Sequence, residues 1–205
     1  MLYIKIKIKI KRMAIIGITL NDVIRDFMGQ LKYVYAKYYG DDLEEVEITD
    51  FNLLKYFKFD TEKKFNDFLY SEAPMEIFAH ADQLHNNIGA LLNVFIADIN
   101  DYEEHEIVIM SRDAHKARPS TLFFLSKLGF TGNNIKFFND TNKMWDNIDI
   151  LVSANPKVLG NKPEGKISVK INTTYNKEIE TDFELDDILM FICDENNFNK
   201  IVNDD

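Results

Sequence analysis

Hydrophobic spacing changes period several times along the chain, and each change predicts an element. The apolar run at residues 14–18 and the segment 106–111, apolar from Ile107 to Met110 and ending in Ser111, read as buried strands, a further strand is expected at 134–138, and residues 150–152 form another apolar run after Asp149. Residues 166–172 alternate instead, with Ile167, Val169 and Ile171 set against Ser168 and Lys170, and read as the final strand. Between the first two strands the period is helical. Val23, Phe27, Leu31 and Val34 recur at three and four residues, which predicts a helix that opens straight after a sharp polar turn at 19–22. Further helices are expected at 63–70, behind a cap at Asp60-Thr61-Glu62, and at 81–99. Another begins near Pro119 and stops at Gly129. A strand that feeds a helix through a short polar loop opens an α/β domain, and ligands of such domains sit at the carboxyl ends of the strands. The loop at Thr19 is where chemistry is expected.

The first twelve residues keep a strict period of two. Leu2, Ile4, Ile6, Ile8 and Ile10 alternate with Lys5, Lys7, Lys9 and Lys11, so one face is apolar and the other cationic. Such an arm is either an edge strand of its own domain or a strand that adds to another subunit, unless Met13 is the working start. At the other end, Glu178, Glu180, Asp182, Glu184, Asp186 and Asp187 precede the apolar run 188–193. This reads as a solvated loop and a packed helix, or as an acidic arm whose sign complements the lysine arm of a neighbouring copy.

Composition narrows the possibilities. With 205 residues, 46% of them hydrophobic, the chain can bury one core, or a core with a smaller insert. One cysteine, Cys193, excludes an internal disulfide framework. No apolar run approaches the length of a membrane span and no signal-peptide pattern opens the chain, so a soluble, unexported protein is expected with no membrane partner. A net charge of −10 argues against nucleic-acid binding. No Walker loop, dinucleotide fingerprint, zinc spacing or nucleophile elbow is present, and no cofactor or metal is expected. The aromatic residues between 51 and 78 read as packing rather than as a base-stacking platform, and His80 and His85, five apart, have the wrong spacing for a two-histidine metal site.

The segment 15–27 resembles motif I of the haloacid dehalogenase (HAD) superfamily in its 5'-nucleotidase-like branch, where a hydrophobic strand ends in Asp-x-Asp-Gly-Val. In that resemblance Thr19 takes the place of the nucleophilic aspartate and Asn21 that of the acid/base aspartate, while Asp22, one residue on, faces elsewhere. Ser111 matches the phosphate-binding hydroxyl of motif II, Lys143 is the candidate for motif III, and Arg112 and Arg118 would add positive potential. Residues 149–156 match motif IV through Asp149 and Pro156, with Ser153 and Ala154 in place of its metal-binding carboxylates. The resemblance implies a three-layer α/β Rossmannoid core with a parallel sheet and an inserted helical cap. It divides the chain into the arm 1–12, a core at 13–28 and 105–175, a cap at 29–104 and an acidic tail at 176–205. It implies a family magnesium site without carboxylates, hence a chain that is not an enzyme. The expected role is a structural or interaction subunit in a homo-oligomer or larger assembly. A phosphometabolite- or nucleotide-binding pseudoenzyme holding its ligand through Ser111 and Lys143 is the alternative, ahead of an active 5'-nucleotidase. Vocabulary and length also resemble proteins of crAss-like tailed bacteriophages, which implies a virion ring or neck component. The location would then be the virion, and otherwise the cytoplasm.

Overall fold

The computed structural model describes residues 13–41, 43–101, 105–112 and 117–203; the alternating arm, with Ile4, Lys5, Ile6, Lys7, Ile8, Lys9 and Ile10, lies outside them. Among the described residues six strands form one parallel sheet: β1 (Ala14–Thr19), β2 (His105–Ser111), β3 (Ile135–Phe137), β4 (Ile150–Ser153), β5 (Ile167–Ile171) and β6 (Phe183–Leu185), in the order β3-β2-β1-β4-β5-β6. β1 is central, paired with β2 on one side and β4 on the other, which explains why its run carries no polar residue before Thr19.

The strand period sorts side chains to the two faces. Ile16, Ile18, Ile107, Ile109, Ile150, Val152, Val169 and Ile171 point to one face. There they meet the helices α3 (Ile88–Asp101), α4 (Arg118–Lys127), α6 (Leu189–Ile192) and α7 (Glu195–Val202) through Ile88, Leu92, Phe95, Phe124, Phe191 and Phe198. Val108, Met110 and Leu151 point to the other face and pack on Met144, Trp145, Ile148 and Val158, from the turn 141–148 and the short helix α5 (Pro156–Leu159). Trp145 Nε1 donates to Val158 O at 2.8 Å and locks that layer together. At the foot of the sheet Asp149 accepts from Ile15 N at 2.9 Å and from Lys166 Nζ at 3.0 Å, joining β1 to the entrances of β4 and β5.

The helical insert gathers around α1 (Phe27–Tyr39) and α2 (Glu62–Asp67). Phe27, Leu31, Val34 and Tyr35 of α1 pack with Phe57, Phe65, Phe68 and Phe78, and the Tyr35 ring lies edge-on to Phe57 at 5.1 Å. The aromatic residues of this stretch are therefore packing, as expected. Thr61 caps α2 through Lys64 N, and Gly40, at φ 73°, ends α1 in the left-handed region that glycine adopts without cost.

Four expectations change. The helix after β1 begins at Phe27 and not at Val23: Leu20 O accepts from Val23, Ile24 and Arg25 N, coiling residues 20–25 into a tight loop. Residues 80–87 are turns that pair back on this loop through Asp26 N to Asp82 O and Leu84 N to Ile24 O, so α3 starts only at Ile88 and His80 and His85 do not share a helix. α3 packs in the core cluster under the sheet, which places it with the core rather than with the cap. Beyond residue 175 the chain is no tail. It adds β6 to the sheet and two helices to the core, because Phe183, Leu185, Phe191, Phe198 and Ile201 continue its apolar face.

Candidate functional site

In a doubly wound sheet the crevice forms where the strand order reverses, here between β1 and β4, outside their carboxyl ends. Thr19 ends β1 and Ser153 ends β4, so the fold brings two of the sequence-selected positions face to face. Thr19 Oγ1 donates to Ser153 Oγ at 3.1 Å, with Val152 O at 3.4 Å, and Ser153 Oγ accepts from Asn155 N at 3.1 Å. Ala154 is fully buried, and its carbonyl accepts from Asn176 Nδ2 at 2.9 Å. Asn155 caps α5 by accepting from Lys157 N at 2.9 Å.

Asn21 is engaged from the other side. Its Oδ1 accepts from Arg25 Nε at 3.0 Å and from Arg25 Nη2. Arg25 is wholly buried, donates through Nη1 to Phe78 O and Thr121 Oγ1 at 3.1 Å each, and lies over the rings of Phe78 and Phe124 at 4.9 and 5.2 Å. The amide is thus an anchor for a buried guanidinium, and its oxygen is committed.

Between these groups remains a cavity of about 40 Å³, lined by Thr19, Asn21, Ser111, Arg112, Met144 and Asn155. That is space for roughly one water molecule. Ser111, the expected phosphate-binding hydroxyl, is buried and lines it. Lys143 does not join the site: it is exposed on the turn 141–145, while its neighbour Met144 fills the wall. Arg118 is exposed, with its guanidinium over the Phe137 ring at 4.8 Å. The magnesium ion that the family resemblance implies does not fit this donor set. Magnesium takes near-octahedral oxygen ligands, usually with one or two carboxylates. Here two hydroxyls bond to each other, a methyl group stands at Ala154, and the Asn21 oxygen is held by a cation. Among the described residues no group of three or more His, Cys, Asp or Glu is arranged to hold a metal ion, and no helix is long and apolar enough to cross a membrane.

Sequence reasoning did not find Tyr175. Asp22, at φ 56°, turns its carboxyl away from the small cavity: Oδ1 accepts from Met28 N at 2.9 Å and Oδ2 from Tyr175 Oη at 2.7 Å. Burial raises the Asp22 pKa to about 6, against the lowering effect of these two hydrogen bonds. Burial also pushes the Tyr175 phenol up, helped by the neighbouring Asp22 carboxyl. The pair borders a crevice of about 610 Å³ between α1, the loop 46–48 and the segment 171–175. It joins the loop after β1 to the segment after β5, and Phe51 of the insert packs on the Tyr175 ring at 5.3 Å. The one legible signal was an aspartate where the resembled motif has glycine.

No family model matches the chain, and no curated protein matches it. Its fold has solved counterparts. A protein of Burkholderia xenovorans LB400 named for a haloacid dehalogenase-like hydrolase is 11% identical and superposes with a TM-score of 0.53, covering 91% of this chain and 99% of its own. A Bacteroides vulgatus protein named for a β-phosphoglucomutase is also 11% identical, with a TM-score of 0.52, covering 95% and 92%. The fold is therefore the HAD-like Rossmannoid one, with a parallel sheet and a helical insert. Both neighbours carry the names of enzymes, a hydrolase and a mutase, and this overturns the expectation that the chain is not an enzyme. A fold of this kind is compatible with activity.

Proposed function

We propose that the chain works as an interaction subunit of a larger assembly, built on a HAD-like fold. The observation that carries this reading is the state of the crevice at the β1–β4 switch point. Its two wall hydroxyls close on each other, and what is left is about 40 Å³, while charge is laid out in ordered rows at the chain's ends. A ligand pocket for a drug-sized or nucleotide-sized molecule is roughly 300–1,000 Å³. A place in a phage virion ring or neck is one form such an assembly could take, and it is supported only by the sequence likeness to tailed-phage proteins. Light scattering on the purified chain and electron microscopy of the particle it comes from test the reading; a defined complex supports it, and a solitary chain at all concentrations counts against it.

A second reading is favoured by one observation: Thr19, Ser111, Arg112 and Asn155 converge as hydrogen-bonding groups on the ends of β1, β2 and β4. A small phosphorylated molecule would find donors there once the Thr19–Ser153 pair opened. Thermal shift with inorganic phosphate, nucleotides and sugar phosphates, with and without magnesium, tests it. A saturable rise in melting temperature that Ser111→Ala abolishes would move the function to this site.

A further inference from the structure

We propose that the segment 178–187 is the docking edge for the amino-terminal arm of a second copy of this chain, which adds to the sheet beside β6. The inference rests on the assembly reading above and names its surface. β6 pairs with β5 on one side, and among the described residues no strand pairs with its other side. Burial alternates strictly along this run. Glu180, Asp182, Glu184 and Asp186 are exposed, Thr181 and Phe183 are half-buried, and Leu185 is buried. Every exposed position of the alternation is acidic. On the opposite face, between Thr181 and Asp187, Phe183 and Leu185 pack in the core cluster that includes Ile201, with Val202 of α7 against it.

The arm carries the complementary pattern at the same period. Lys5, Lys7, Lys9 and Lys11 form one row, and Ile4, Ile6, Ile8 and Ile10 the other. Laid beside β6, the lysine row faces the acidic row while the isoleucine row extends the apolar face over Phe183 and Leu185, which is the way paired strands match side chains. Lys162 and Lys170 meet Asp182 and Glu184 from the β5 side, at 2.8 Å each. The row of five acids from Glu178 to Asp186 still keeps a net negative charge. An acidic edge repels another copy of itself and selects a cationic strand.

Reach assigns the arm to a second copy. The position beyond β6 lies four strand spacings from β1, about 19 Å at about 4.8 Å each. At about 3.3–3.6 Å per residue, a chain's own arm would use about six residues to cross that distance. Residues 7–12 would then be spent on the crossing, and three of the four lysines, Lys7, Lys9 and Lys11, would miss the acidic row. An arm arriving from a neighbour presents the whole pattern.

The test uses the full chain and two charge reversals at exposed or arm positions, Lys5→Glu/Lys7→Glu/Lys9→Glu and Glu178→Lys/Glu180→Lys, in sedimentation velocity at moderate salt. The expected result is association of the native chain and at least tenfold weaker association of each variant alone. Association should return when the two variants are mixed, because the acidic arm then meets a basic edge. Thermal melts report whether each variant is folded. An assembly whose mass ignores both reversals would overturn this surface and leave the assembly reading standing. A native chain that stays monomeric would overturn both, and arm-dependent melting in such a monomer would show the arm seated on its own sheet.

Discussion

Asp22 carries the most informative side chain of the loop after β1. A non-glycine residue at φ 56° costs roughly 1 kcal/mol, which its bonds to Met28 N and Tyr175 Oη offset. Its pKa is raised in the folded state, from 3.8 to about 6. The stability it contributes is therefore fully present below pH 3.8 and lost as pH rises through about 6, because ionising the buried carboxyl opposes folding. Asp22→Asn is expected to stabilise the protein by about 2 kcal/mol at pH 7 and to change little at pH 4, since an amide tolerates the left-handed region, accepts from Met28 N through Oδ1, can donate through Nδ2 to Tyr175 Oη in place of the bond that oxygen now donates, and cannot ionise. Urea unfolding at the two pH values checks this; equal effects at both would show that Asp22 does not titrate between them. Thr19 and Asn21 show what a residue-level reading can and cannot see. Their identities were legible and placed them at the strand end, but the bonds that occupy them come from Ser153, 134 residues away, and from Arg25. Arg25 carries no signal of its own in the sequence; only the fold encloses it between Phe78 and Phe124.

The elements with a single dominant signal were read correctly. β1 and β2 are buried on both faces, so apolar runs alone specify them, and Gly129, at φ 68°, closes the turn after α4 as expected. The readings failed where tertiary bonds compete with local periodicity. Val23 and Phe27 fit a helical spacing, yet Leu20 O gathers three N–H groups and ends the helix before it starts. β6 escaped because its acidic residues resemble a solvated tail, whereas pairing with β5 makes that row one face of a strand. Lys170, read as outward-facing, is almost wholly buried, with Nζ donating to Ile179 O at 2.9 Å and Glu184 Oε1 at 2.8 Å, a site that exists only once β6 has docked. Glycine in α3 gives a test of packing at this scale. A Cβ on Gly89 would lie 2.0 Å from Leu128 O, backbone that has to move with the end of α4. Gly89→Ala is expected to cost about 1–3 kcal/mol through overpacking, in place of the gain of about 1 kcal/mol that alanine gives an ordinary helix position. Chemical denaturation checks it, and a stabilised variant would show that α3 and α4 are not in close contact there.

For the whole molecule, the α/β class and the parallel sheet were legible because hydrophobic runs and short polar loops leave few topologies. The use to which the fold is put was less legible, since sequence likeness located the strand ends but could not show how much space remains between them. A water-sized cavity at the switch point and an acidic edge at β6 together direct attention to the outer surface. The most direct measurement is the solution mass of the full 24.0 kDa chain by sedimentation equilibrium, at about 0.1 M and at 1 M salt, where the Debye length falls from about 10 Å to about 3 Å. The expected result is a multiple of the chain mass at low salt that moves toward a single chain at high salt. A single chain under both conditions, across the accessible concentration range, would contradict it.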